Sequence, residues 1–416
     1  MPAYNPFRPG SIVTPGMFSG RVEELLKLGG VLFQTKNGNP HHFLLHGERG
    51  IGKSSLLFYL QCVARGEIES LEHGSFKFLT LNIELEPSNT YADIIRKVGA
   101  ELHRTVASHQ GAKELAQAAW EFIACWQVAG VKFTKEQKGP EPHELLENLT
   151  HTIERTLASL GEAFDGVLIL IDEADKPSDN ANLGEFVKVF TERLTKRGCG
   201  KVALGLAGLS GVIEILRASH ESSPRVFEIL TLNPLKPGEI VEVIRKGLVE
   251  AKEKNGFEIT VTEAAERLIS EFSEGYPHFI QQFAHSAFDA NTDNVIDHKD
   301  VLSGAVRENG AFQQLGLKYY QELYFDQIGS DEYRDVLRVM SDHLDEWVSK
   351  EDIRKAITIK ESTLNNAIAA LKKRRIIVPK AGTKGSYRLP TKSFAIWIGA
   401  YTKATATADA EQGKST

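Results

Sequence analysis

Gly47-Glu48-Arg49-Gly50-Ile51-Gly52-Lys53-Ser54 carries its chemistry in its spacing. Glycines let a backbone turn so that its N–H groups point inward and ring an anion. A lysine adds a cation, and a hydroxyl directly after it can ligate a divalent metal. The target of that set is a nucleotide's phosphate chain, with Lys53 at the β and γ phosphates and Ser54 on Mg²⁺. The eight residues match G-x-x-x-x-G-K-[ST], and Ser55 carries the turn into the segment that follows. A second set begins 119 positions after the lysine, where the apolar run VLILI (167–171) ends in Asp172 and Glu173. Such a strand can hold Mg²⁺ through water on Asp172 and polarise an attacking water with Glu173. An acidic pair after a strand is a weak signal alone; behind this phosphate loop it reads as a catalytic pair. The chain is therefore expected to bind ATP or ADP with Mg²⁺ and to hydrolyse ATP slowly.

The flanking patterns supply the elements that must position these groups. HFLLHG (42–47) is a short apolar run of buried-strand type, and KSSLLFYLQCVAR after the glycine turn is helical by periodicity. Further strands are expected at 76–83, 167–175 and 201–209, with helices at 21–34 and 183–197 and a long helical region up to about Leu160. Buried strands alternating with helices make an α/β fold, a parallel sheet with helices on both faces. From Leu235 to about Val306 the strand signals vanish and helices take over. The expected division is an extended segment at 1–20, a P-loop ATPase core at 21–234 with a helical insertion at about 105–150, an all-α lid and linker at 235–325, a winged helix-turn-helix at 326–400, and a disordered tail at 401–416.

Bulk properties narrow the class. Of 416 residues, 42% are hydrophobic and 25% charged, which is ordinary for a soluble protein. The net charge of -6 argues against a chain that coats nucleic acid over its whole surface, but leaves room for one basic face. Cys62, Cys125 and Cys199 have no metal-ligand spacing and make no disulfide framework, so they read as buried thiols in a reducing compartment. With no apolar run of membrane-spanning length and no signal-peptide core at the N-terminus, the expected address is cytoplasmic. His41, His42 and His46 flank the first strand and read as surface and core residues rather than metal ligands.

Asp172-Glu173-Ala174-Asp175 spells a helicase motif, but the next core strand ends in Ala207-Gly208-Leu209 and no second helicase lobe follows. There is no NKxD for guanine, and LSGV (209–212) is not a transporter-type signature. The chain instead resembles an AAA+ ATPase of the branch shared by STAND-type switch ATPases and origin-recognition-like initiators, over roughly residues 5–310. The resemblance implies that Phe18 and Arg21, in the opening NPFRPG…MFSGR, lie on the adenine side. It implies that Asn82 orients the catalytic glutamate, and that SSPRVFEILTLNPL (222–235) carries an arginine finger, Arg225. Such an arginine reaches a neighbour's γ-phosphate; the alternative is pairing with a carboxylate such as Glu221. In Gly275-Tyr276-Pro277-His278 it implies Pro277 near the adenine and His278 at the position of a sensor arginine, against a plain helix start. After Leu209 the nearest polar sensor is Ser210, and the surplus around 105–150, with Trp120 and Trp126, is a partner surface or a helical pair with its own small core.

Residues 331–400 read as three helices and a hairpin, in the order of a winged helix. Ser349 with Asp352 marks a helix start, and KESTLNNAIAALKKRR is the third helix. This stretch holds 14 Lys plus Arg against nine Asp plus Glu, net +5, leaving -11 for the rest. Basic residues closing the third helix (Lys372, Lys373, Arg374, Arg375) and on the wing (Lys380, Lys384, Arg388) fit a local double-stranded DNA contact over residues 360–392. Cations at a helix C-terminus also complement its dipole, and winged helices of the resembled group contact proteins as well. The expected function is an ATP-operated switch whose nucleotide state controls homo-oligomerisation and engagement of DNA or a partner. The competing reading is a nucleotide-stabilised scaffold or sensor acting with a separate effector protein, without DNA.

Overall fold

The structure, a computed structural model, describes residues 3–108, 141–344, 346–374, 376–380 and 382–400. Trp120, Trp126, Cys125, Arg375, most of the expected insertion and the expected tail lie outside them. The chain divides into two compact units, Ile12–Asn233 and Met1–Ser11 with Pro234–Thr416.

The first unit is built on five parallel strands: β1 (His42–His46), β2 (Phe78–Glu84), β3 (Gly166–Asp172), β4 (Val202–Gly208) and β5 (Phe227–Thr231), in the order β2-β3-β4-β1-β5. The two inner strands with the longest apolar runs, β3 and β4, are buried along nearly their whole length. That follows from helices covering both faces, which leaves no polar side to alternate with. Leu28 and Leu32 of Val22–Lys36, Leu56 and Leu60 of Lys53–Arg65, and Phe186 and Phe190 of Leu183–Lys196 are all buried. The four strands read from the sequence are present with shifted ends. The fifth comes from the stretch read only as an arginine-bearing segment. It is an edge strand whose middle residues Glu228 and Ile229 are exposed, so neither an apolar run nor a clean alternation announces it.

His42 ties the start of β1 to β4, its Nδ1 accepting a hydrogen bond from the Leu204 N–H at 3.1 Å. Burial first, and then the neighbouring His41, push its pKa down to about 4 from 6.5. Only the neutral ring can accept that bond. The folded state thus binds fewer protons than the unfolded state between pH 6.5 and 4. This stabilisation is complete above 6.5 and is lost as pH falls toward 4. Lowering the pH from 7 to 5 is expected to cost the wild type about 2 kcal/mol that a His42→Gln variant does not lose. Urea unfolding of both proteins at the two pH values measures this; equal losses would refute it.

In the second unit, helices Pro237–Asn255, Glu263–Ser273, Pro277–Ala290 and His298–Val306 pack together. The helical expectation for 235–306 needs one correction: a parallel pair, β6 (Thr260–Val261) with β7 (Val295–Ile296), lies within it. Two residues per strand are too few to register as periodicity. The N-terminal segment belongs to this unit. Phe7 is buried among its helices, Tyr4 exchanges hydrogen bonds with Asn255, and Arg8 pairs with Glu250 at 2.8 Å.

Beyond two wide helical turns (Gly316–Tyr320 and Glu322–Asp326) come helices Asp331–Ser341, Lys350–Ala356 and Glu361–Lys373. Ser349 caps the middle one as expected, accepting from the Asp352 N–H at 3.1 Å. β9 (Val378–Pro379) and β10 (Ser386–Arg388) form the expected antiparallel hairpin. β8 (Val348–Ser349) adds a third strand beside β10, and 392–400 forms a further helix; neither was anticipated. No helix of the described residues is long and apolar enough to cross a membrane.

Candidate active site

The phosphate turn leaves the C-terminal end of β1 and enters helix Lys53–Arg65. Gly50 and Gly52 sit at φ +81° and +96°, left-handed values that β-carbon-bearing residues rarely adopt, so glycine is required at both. Between them Ile51 is buried, and Gly47, also buried, starts the turn. Glu48 and Arg49 lie exposed on its outer side. Lys53 folds back over the turn, its Nζ donating to the Gly47 and Glu48 carbonyls at 3.0 Å each. Burial lowers its pKa, while Asp175, Asp172, Glu173 and Glu48 pull it back up.

The sheet brings the two motifs together. Ser54 Oγ donates to Asp172 Oδ2 at 2.7 Å, although the residues are 118 positions apart. Asp172 Oδ1 accepts from the Glu173 N–H at 2.8 Å. Glu173 sits at φ +55°, a strained value for a side-chain-bearing residue of the kind found at functional sites. Its carboxyl pKa is raised, chiefly by burial.

The residues expected on the adenine side belong to different units. Arg21, at φ +61° and 7% exposed, donates from Nη2 to the Ile51 carbonyl at 3.0 Å and pairs with Glu24. It thus grips the phosphate turn's backbone. Phe18 packs on Tyr59 with ring centroids 4.7 Å apart, and Ser55 Oγ accepts from the Val13 N–H at 3.5 Å. Pro277 and His278 belong to the second unit, at the first turn of Pro277–Ala290, where the His278 ring packs edge-on to Tyr319 at 5.0 Å.

Asn82 is exposed on β2 and pairs in register with Leu170, two residues short of Asp172; it makes no side-chain hydrogen bond among the described residues. Glu84 is the β2 residue opposite Asp172. Arg225 is exposed on the short turn Ser223–Val226 and has no ion pair or side-chain hydrogen bond among the described residues, so the expected alternative of a pair with Glu221 is not formed.

Sequence reasoning missed three charged groups here. Asp175 Oδ1 accepts from the Leu209 N–H at 2.7 Å and ties the turn after β3 to the end of β4, one residue before Ser210. Lys176 lies 3.2 Å from Glu84 and 3.6 Å from Glu173. The only sequence signal was that Asp175 and Lys176 follow the acidic pair within three residues; Glu84 gave none.

Residues 18–192 match the family described as AAA ATPase domain. That match spans less than half of the chain and agrees with the parallel sheet and phosphate turn described above. Among solved structures the chain is similar to the ORC2 protein of Aeropyrum pernix, solved as ADPNP-ADP complexes. The TM-score is 0.53 at 12% identity, covering 97% of this chain and 98% of that one. It is also similar to Cdc6p of Pyrobaculum aerophilum (TM-score 0.45, 13% identity, 96% of each chain). A third is the Aeropyrum pernix ORC1 protein in complex with DNA (TM-score 0.44, 16% identity, 92% of this chain and 93% of that one). At these identities the first likeness speaks for the fold alone. No curated protein matches the chain.

Proposed function

We propose that this chain is an ATP-hydrolysing switch whose nucleotide state governs self-association and engagement of double-stranded DNA. The observation that carries the reading is the 2.7 Å contact between Ser54 and Asp172 beside the Lys53 turn, with Glu173 as the next residue. Both contacting atoms are hard oxygen donors of the kind Mg²⁺ takes while keeping several waters, so Ser54 and Asp172 fit as its holders. When bound there, the ion would offset the negative charge of the phosphates. Inward N–H groups from Gly50 to Ser54 cradle the phosphates, and Lys53 exchanges its two backbone carbonyls for phosphate oxygens. Glu173 accepts a proton from the attacking water. Arg21 keeps the turn in shape through the Ile51 carbonyl, and Phe18 serves the adenine side. The ADPNP and ADP of the ORC2 structure support this use of the fold.

Arg225 is proposed to act in trans. β5 begins at Phe227 opposite His42, whereas the phosphate turn leaves β1 beyond His46, opposite Thr231. At about 3.3 Å per residue, Arg225 lies about 13 Å or more back along the strands from its own phosphate site. An exposed arginine at that end, with no ion pair among the described residues, is placed to serve the nucleotide of a neighbouring copy.

The C-terminal helices and three-stranded sheet are proposed to work as a winged helix, on the STAND- and initiator-like pattern. Helix Glu361–Lys373 buries Leu364, Ala367, Ile368 and Leu371. Ser362, Asn365, Asn366, Lys372 and Lys373 are left exposed, a face suited to base edges and phosphates. On the wing, Lys380 and Arg388 lie over Trp347 at 5.8 and 4.9 Å. Arg374 instead donates to the Gln327 carbonyl and serves the fold.

Fluorescence anisotropy of a labelled random duplex against the Glu173→Gln protein, with ATP and with ADP, tests the switch. ATP-dependent binding is expected, with a log–log salt slope of about -4.5 for about five phosphate contacts. Flat curves equal in both nucleotides would reject DNA engagement and favour the scaffold acting on a protein effector.

A further inference from the structure

We propose that Lys176 is a positioning residue that restrains Glu173, and that Glu84 sets how firmly it does so. Lys176 stands one turn past β3, its own N–H bonded to the Glu173 carbonyl at 3.0 Å. Its ammonium is shared between two carboxylates, 3.2 Å from Glu84 Oε1 and 3.6 Å from Glu173 Oε1. Sheet pairing creates this arrangement: Glu84 ends β2 directly across from Asp172, so the carboxylate after Asp172 and the one at the end of β2 converge on a single cation. Lys176 has no hydrogen bond to Lys53, Ser54 or Asp172 among the described residues, so its link to the site runs through Glu173.

The consequence is a competition. A Glu173 carboxylate paired with Lys176 is held toward the β2 edge and is not free to meet a water at the phosphate site. Glu84 draws the ammonium the other way. Removing Lys176 releases Glu173, whereas neutralising Glu84 leaves Lys176 to Glu173 alone. All three side chains are about a third or more exposed, so the pair shifts the equilibrium by about fivefold at most. This inference rests on the reading of Glu173 as the water-polarising group.

The test is steady-state phosphate release from ATP by the full chain. Lys176→Met is expected to raise kcat about two- to fivefold at unchanged KM. Glu84→Gln is expected to lower kcat about twofold, and Lys176→Arg, which keeps the charge, to restore the wild-type rate to within about twofold. Rising salt should speed the wild type toward the Lys176→Met rate and leave that variant flat. In the Glu173→Gln background Lys176→Met should have no effect.

A Lys176→Met rate at or below wild type, Lys176 and Glu84 variants that shift kcat in the same direction, or a change confined to KM would each overturn the proposal. So would a gain that persists without Glu173. If Glu173→Gln itself keeps wild-type turnover, the assignment of Glu173 falls and this inference with it. If Glu173→Gln loses turnover and Lys176→Met gains none, the inference alone falls.

Discussion

Glu173→Gln is expected to lower kcat for ATP hydrolysis by about 10²–10⁴-fold, the range of a positioned general base. KM should move by less than about threefold, because the amide removes a proton acceptor without touching a phosphate ligand. The substitution isolates chemistry from folding. Gln has the size of Glu and suffers the same strain at φ +55°, and Asp172 still accepts the backbone N–H of residue 173 at 2.8 Å. Asp172 also keeps Ser54 as its partner, so the proposed metal holders stay in place. The variant should therefore retain ATP and accumulate in the ATP-bound state. Single-turnover measurement with enzyme in excess reads the chemical step directly. A rate within threefold of wild type would move the proton acceptor elsewhere, with Asp175 excluded only as long as it stays bonded to Leu209.

Lys53→Ala should weaken ATP affinity by about 10²-fold or more. A hydrogen bond to a charged group is worth about 1.5–3 kcal/mol, and Lys53 would make two, to the β and γ phosphates. Lys53 needs little reorganisation to do so. Its ammonium already lies over the turn against the Gly47 and Glu48 carbonyls, and burial has removed part of its hydration. Alanine at the first residue of helix Lys53–Arg65 keeps helix propensity, so the turn should survive. Calorimetric titration with ADP and with a non-hydrolysable ATP analogue gives the two affinities. The loss should be larger for the triphosphate, since ADP lacks the γ-phosphate contact. An affinity within threefold of wild type for both would mean that the backbone N–H groups alone hold the phosphates. A loss equal for both would place Lys53 on the β-phosphate only.

The sequence by itself determined whatever depends on near neighbours. The left-handed glycines of the phosphate turn, the helix that follows it and the apolar β3 ending in Asp172-Glu173 are local facts of spacing and side-chain type. So is the Ser349 cap. They were legible because a turn's φ values, a cap or a buried run are set within a few residues. The edge strand Phe227–Thr231 was not, since its half-exposed pattern belongs to no simple period. Tertiary structure alone decided what meets across the sheet. Pairing of β2 with β3 sets Glu84, rather than Asn82, opposite Asp172 and converges two carboxylates on Lys176. Pairing of β1 with β5 puts Arg225 at the end away from its own phosphate turn. The net charge of 331–400 was readable from composition, but not that Arg374 would bond to the Gln327 carbonyl while Lys380 and Arg388 gather over Trp347. Strand register comes from packing apolar faces of segments far apart in the chain, and a shift of one residue turns every side chain to the other face. No local pattern contains that choice.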